Sequence, residues 1–169
     1  MKTETIENIL NFLKEKESRS VPEEWSSAKE KLKIIESFKP HPDNVQYKYA
    51  DTMDLSYSII TKLPNDLHVD GGLYLDHCKQ ITKLPDKLHV GGVFDISYTN
   101  VTKLPNNLYV GDDLILEFCD VYMFEYSYNL YVVGDLFIAG TILDEIYTDE
   151  QIREIVASNG GKINGYIHR

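Results

Sequence analysis

Ile81-Thr82-Lys83-Leu84-Pro85-Asp86-Lys87-Leu88-His89-Val90-Gly91-Gly92 is one of three versions of a single phrase. Before it stands Ile60-Thr61-Lys62-Leu63-Pro64-Asn65-Asp66-Leu67-His68-Val69-Asp70-Gly71-Gly72. After it stands Val101-Thr102-Lys103-Leu104-Pro105-Asn106-Asn107-Leu108-Tyr109-Val110-Gly111-Asp112. The phrase returns after 21 residues and then after 20. A fixed period of that size is the mark of a solenoid. A unit this short cannot bury its own apolar side, so successive units must stack.

Working outward from the phrase, the sequence aligns in columns. Met53/Leu55, Leu73/Leu75, Phe94/Ile96, Leu114/Leu116 and Leu136/Ile138 are apolar pairs with one variable residue between. That spacing reads as a short strand with one face inward. Then come Ser58, Cys78, Thr99, Cys119 and Thr141, followed by Ile60, Ile81, Val101, Val121 and Leu143. A further inward column is Leu63, Leu84, Leu104, Phe124 and Ile146. The pairs Leu67/Val69, Leu88/Val90, Leu108/Val110 and Leu130/Val132 close the circuit, and Gly or Asp/Gly pairs mark the bend into the next strand.

The ends of the chain carry helix signals. Ile6, Ile9, Leu10 and Leu13 lie at helical spacing within residues 3–17. Ser20-Val21-Pro22-Glu23 is a capping-box pattern opening a second helix, and Pro40 and Pro42 end it. Thr148-Asp149-Glu150-Gln151 is another capping box, and it predicts a helix over Ile152, Ile155 and Val156 that stops at Gly160-Gly161. A solenoid needs its open ends covered. The expected organisation is a single domain over 1–169, with a helical N-terminal cap (1–42), a repeat solenoid (46–147) and a C-terminal helical cap and tail (148–169).

Apolar residues make up 43% and charged residues 26% of the chain, which fits a globular protein with a sizeable core. No apolar run is long enough for a transmembrane helix, and the start lacks a secretory-signal pattern. Two cysteines placed in repeats favour a reducing, cytoplasmic setting. The net charge is −10, and residues 46–147 carry most of it, with 6 basic against 15 acidic side chains. No Lys or Arg occurs between Lys103 and Arg153. A field of that sign repels nucleic acid and favours a partner with a basic surface.

The stretch Phe94-Asp95-Ile96-Ser97-Tyr98-Thr99-Asn100-Val101-Thr102-Lys103-Leu104-Pro105 resembles the leucine-rich-repeat pattern L-x-L-x-x-N-x-L-x-x-L-P. The short Leu-Pro units are similar to those of bacterial and bacteriophage leucine-rich-repeat proteins, over roughly residues 46–147. The resemblance implies parallel strands on one face and extended segments on the other. In that family an Asn column bonds inside the coil, with Cys or Thr as substitutes. Here the column is Ser58, Cys78, Thr99, Cys119 and Thr141, without Asn. An extra residue before each strand points to a flattened β-solenoid rather than a deep horseshoe. The expected fold is α+β: a short leucine-rich-repeat-like parallel β-solenoid of about five coils, capped by N-terminal helices and a C-terminal helix.

No Ser/His/Asp set, phosphate loop or defined carboxylate pair appears, so the reading is non-enzymatic, with no cofactor and no metal. Cys78 and Cys119 are two coils apart. At about 4.8 Å per coil that is too far for a disulfide. His68 and His89 share a column but the next members are Tyr109 and Tyr131, so it reads as surface stacking rather than a zinc site. Lys62, Lys83 and Lys103 form a ridge too slight for a nucleic-acid face.

The outward columns carry the candidate partner-binding residues. They are Asp54, Tyr74, Asp95, Ile115 and Phe137; beside them Asp76 and Glu117, with Ser97 between; and next Tyr57, His77, Tyr98 and Phe118. Packing asks for neither aromatics nor carboxylates there. The alternative is ordinary solvated surface. A secondary surface is expected at Asp112 and Asp113 and at the irregular fourth repeat, with Tyr122, Met123, Tyr126 and Tyr128.

The functional expectation is a protein-protein interaction module that binds another protein with a basic patch. A sharper form is a phage-type inhibitor of a nucleic-acid-binding host protein, for example in a defence or anti-CRISPR role. Direct nucleic-acid or membrane binding is not expected. The alternatives are a structural or self-assembling subunit, with self-association through residues 122–128, and an accessory subunit of an enzyme.

Overall fold

The computed structural model describes residues 47–122 and 124–169. The two helices expected within residues 1–42 lie outside the described residues, as does Met123. The chain winds as a parallel β-solenoid of about four turns. Its strands come in pairs: β1 (Tyr47–Tyr49) and β2 (Met53–Asp54), β3 (Leu67–Val69) and β4 (Leu73–Tyr74), β5 (His89–Val90) and β6 (Phe94–Asp95). β7 (Tyr109–Val110) and β8 (Leu114–Ile115), β9 (Tyr131–Val132) and β10 (Leu136–Phe137), and β11 (Lys162–Ile163) and β12 (Ile167–His168) follow. The odd strands make one six-stranded sheet and the even strands another. We call these the first and second sheets.

The register follows the repeated phrase. Leu73 pairs with Met53 and with Phe94, then Phe94 with Leu114 and Leu114 with Leu136. The last pairing, Leu136 with Ile167, spans 31 residues, because two helices are inserted in the circuit. These are α1 (Ile142–Ile146), N-capped by the Thr141 side chain, and α2 (Asp149–Ser158). Thr148 and Gln151 form a full capping box at the start of α2, at the position the sequence indicates.

Between the sheets lies one core. Met53, Leu73, Phe94, Leu114 and Leu136 from the second sheet and Val69, Val90, Val110 and Val132 from the first are all buried. The column of Cys78, Thr99, Cys119 and Thr141 is buried too. Cys78 Sγ donates to Leu55 O of the preceding coil at 3.0 Å, and the other three close the turn after their own second-sheet strand. Thr99 Oγ1 donates to Ile96 O at 2.7 Å, Cys119 Sγ to Leu116 O at 2.7 Å and Thr141 Oγ1 to Ile138 O at 2.7 Å. A buried carbonyl needs such a donor, so small residues with an O–H or S–H recur there. Burial pushes the Cys119 thiol up to about 12, and Cys78 and Cys119 are not joined in a disulfide.

Two features depend on backbone rather than side chains. On the short arc between sheets, a Cβ on Gly91 would collide with Asp70 O, and one on Gly111 with Gly91 O. Successive arcs thus lie backbone against backbone, which glycine alone permits. In the turn after the second sheet, Tyr57, His77, Tyr98 and Phe118 all have φ between 53° and 59°. Side chains other than glycine rarely adopt the left-handed region. Each of these amides is met by the next coil: Tyr57 N–H donates to Asp76 O, His77 to Ser97 O, Tyr98 to Glu117 O and Phe118 to Ala139 O, at 2.9–3.0 Å. The fifth member of the column is Gly140, with φ 67°.

Four expectations change. Ile146 is 56% exposed, because α1 turns it outward instead of continuing the inward column. Leu84 is half-buried, whereas Leu104 in the next coil is fully buried. Residues 142–146 leave the repeat as a helix. Lys162–Arg169 is no mere tail along a helix: it supplies β11 and β12 and so adds a rung to each sheet. Along a parallel strand successive residues turn their amide and carbonyl to alternate neighbours: Lys162 N–H donates back to Leu130 O and Asn164 N–H to Val132 O. Ile163 O therefore faces the position of a further coil. Arg153 of α2 fills it, with Nη1 2.8 Å from Ile163 O and Nη2 2.6 Å from Gly165 O. Arg169 folds back likewise, onto Asp144, Asp149 and Tyr147 O.

Candidate partner-binding face

The outer face of the second sheet gathers residues 20–22 apart in sequence, and 31 apart at the last pairing, into columns one rung apart in space. Asp54 pairs with Tyr74, Tyr74 with Asp95, Asp95 with Ile115, Ile115 with Phe137, and Phe137 with His168. The next outward column is Ser56, Asp76, Ser97, Glu117 and Ala139. Beyond it runs the left-handed column. No Lys or Arg stands in any of the three.

That left-handed column is an aromatic ladder. Tyr57 stacks on His77 with ring centroids 4.3 Å apart, His77 on Tyr98 at 4.5 Å and Tyr98 on Phe118 at 4.8 Å. The spacing matches the rise between parallel strands. The Phe118 ring occupies the space a Cβ on Gly140 would need, so the ladder ends over a glycine. Stacking uses the faces of the inner rings on one another. Solvent meets their edges, with Tyr98 39% and Phe118 52% exposed. The ladder is thus a wall of ring edges and not a platform for stacking a ligand.

The carboxylates of this face are differently engaged. Asp54 accepts from Ser56 N–H at 2.9 Å and Asp95 from Ser97 N–H at 2.8 Å, each closing a local turn. Asp76 Oδ2 lies 3.3 Å from His77 Nδ1. At the C-terminal end His168 stacks on Phe137 at 4.4 Å, and its Nε2 lies 2.7 Å from Asp135 Oδ2. That hydrogen bond, with a second from Tyr166 N–H, holds Asp135 below the usual carboxylate range.

The opposite sheet carries a second ladder, which the shared column of His68 and His89 foreshadows. His68 and His89 stack at 4.0 Å, and His89 and Tyr109 at 4.5 Å. Among the described residues no three His, Cys, Asp or Glu side chains form a metal-holding group.

The eleven primary candidates thus fall on one face. The secondary ones divide. Asp112 and Asp113 sit on the short arc, where Asp113 accepts from Asp135 N–H at 2.7 Å. Tyr122, Tyr126 and Tyr128 are exposed on the long arc around a 3-10 turn at Phe124–Tyr126. The two arcs join the sheets at opposite edges of the coil, so these residues do not form one patch. The Phe137–His168 stack and the Arg153 contacts have no signal in the repeated phrase, because they come from the segment beyond it. Among the described residues no helix is long and apolar enough to cross a membrane. Comparison with family models, curated proteins and solved structures returned no match.

Proposed function

We propose that this protein is a non-catalytic interaction module that binds a partner protein of basic surface through the outer face of the second sheet. One observation carries the reading. Successive coils place Asp54, Asp76, Asp95 and Glu117 among aromatic and aliphatic side chains on a single outer face that has no Lys or Arg. Such a face complements a positive patch, which sets orientation and speeds encounter. Ring edges and Ile115 then supply apolar contact once water is excluded.

The reading extends to several finer points. The phrase and its columns support kinship with short Leu-Pro leucine-rich repeats of the bacterial and bacteriophage type. They also support five repeat coils closed by residues 1–42 and 148–169 as caps. The charge supports an inhibitor that occupies the nucleic-acid-binding surface of a host protein in the cytoplasm.

The test is affinity capture on the immobilised protein, followed by titration of the purified partner against variants. Phe118→Ala is expected to weaken binding at least tenfold, on the order of 2 kcal/mol for a central aromatic, with a native melting profile. Asp112→Lys is expected chiefly to slow association at low salt. A partner that is not basic, or that binds both variants as it binds the parent, sinks the reading.

A further inference from the structure

Ser97 lies at the middle of the outward column, with Asp76 one coil before it and Glu117 one coil after. It points outward by alternation, since Phe94 and Ile96 are fully buried on the core side. Its backbone is satisfied: the N–H is taken by Asp95 Oδ1 at 2.8 Å and the carbonyl by His77 N–H at 3.0 Å. Its hydroxyl is not. Ser97 is 6% exposed, and Oγ has no hydrogen-bond partner among the described residues. Buried hydroxyls are normally paired, and leaving one unpaired is a standing cost.

The surroundings say what would pair it. Carboxylates stand in the same column one rung away on either side, about 4.8 Å per rung. A third, Asp95, is two residues away in the same coil and uses one oxygen on the Ser97 amide. No hydrogen bond or ion pair from the described residues reaches the Glu117 carboxylate. The ligand therefore carries positive charge and several donors spread over a plane. A guanidinium fits: its five N–H groups lie in a fixed fork that can address two carboxylates and a hydroxyl at once. An ammonium offers three donors from one point. The aromatic wall beside the site exposes edges, so a stacked cation gains little there and the carboxylates decide the choice.

We infer that Asp76, Ser97 and Glu117, with Asp95 beside them, form a seat for one arginine side chain of a partner protein. This rests on the proposed function of the same face and names the group that face receives. The seat is tested on the full chain with blocked Gly-Arg-Gly and Gly-Lys-Gly peptides, followed by NMR at low salt. Saturable shifts centred on Ser97 are expected, with the arginine peptide at least fivefold tighter. Asp76→Asn combined with Glu117→Gln is expected to lose at least tenfold. Ser97→Ala should weaken the arginine peptide severalfold while melting no lower than the parent, because it removes an unpaired buried group.

The seat is overturned by no binding, by equal binding of the two peptides, by shifts centred elsewhere, or by undiminished binding in the double variant. A Ser97→Ala variant that melts below the parent also overturns it, since the hydroxyl would then be paired in the free protein. Partner binding that still falls with Phe118→Ala while the arginine peptide fails would sink the seat alone. Partner binding indifferent to the whole face would sink the parent reading.

Discussion

At the scale of single residues, the sharpest consequence concerns His89. Its ring lies between His68 and Tyr109, and burial first, then the neighbouring His68, holds its pKa below the ordinary 6.5. Lys48 acts in the same direction and Asp70 against it. The native state thus resists a proton that the unfolded chain accepts. Stability is full above about pH 6.5 and is lost as pH falls from there toward the native pKa. Asp70 acts lower. Lys48, 3.1 Å away, and His68 hold its carboxyl below the ordinary 3.8, so its share is lost only as pH falls through that value. Thermal melting followed against pH should therefore show two separate declines. His89→Gln should remove the one that begins as pH falls below about 6.5 and leave the acid one. The same slope in parent and variant would show that the stack does not set it.

At the scale of elements, the inward columns were legible because two periods agree: two residues within a strand and 20–22 around the coil. Where only one period held, the reading failed. Ile146 fits the coil period, yet Thr141 caps a helix and turns it out to solvent. The contrast is measurable. Leu104→Asp buries an unpaired carboxylate at a cost of several kcal/mol, against a typical domain stability of about 5–15 kcal/mol. Ile146→Asp should fall within about 0.5 kcal/mol of the parent in denaturant titration. Comparable losses in both would contradict the assignment. The candidate face was legible as outward positions, since alternation places Asp54, Tyr74, Asp95, Ile115 and Phe137 there. Its geometry was not. Aromatics at positive φ run against residue preference, and nothing in Tyr57, His77, Tyr98 or Phe118 announces that backbone. Ser97 was equally silent, because a small polar residue at an outward position ordinarily sits in water.

At the scale of the molecule, the C-terminal end of the first sheet is held by one side chain. Arg153 takes the carbonyls of Ile163 and Gly165, positions that an added strand would need. Arg153→Ala should lower stability by about 1–3 kcal/mol and expose a strand edge. Concentration-dependent association, seen by sedimentation in the variant and absent in the parent, is the expected sign. A variant as stable and as monodisperse as the parent would remove that role. The aromatic ladder has a further consequence, for how such a chain could lengthen. Each coil from Leu73 to Gly140 offers its successor the same interface: a left-handed turn, a buried hydroxyl or thiol rung, a close-packed arc. A tandem duplication of one repeat between residues 60 and 121 would therefore slot into place. The same duplication spliced in after Gly140 would have to seat a coil where Phe118 already covers the backbone and the chain has turned to helix. The fold is open to growth by copying at its middle and closed to it at its C-terminal end.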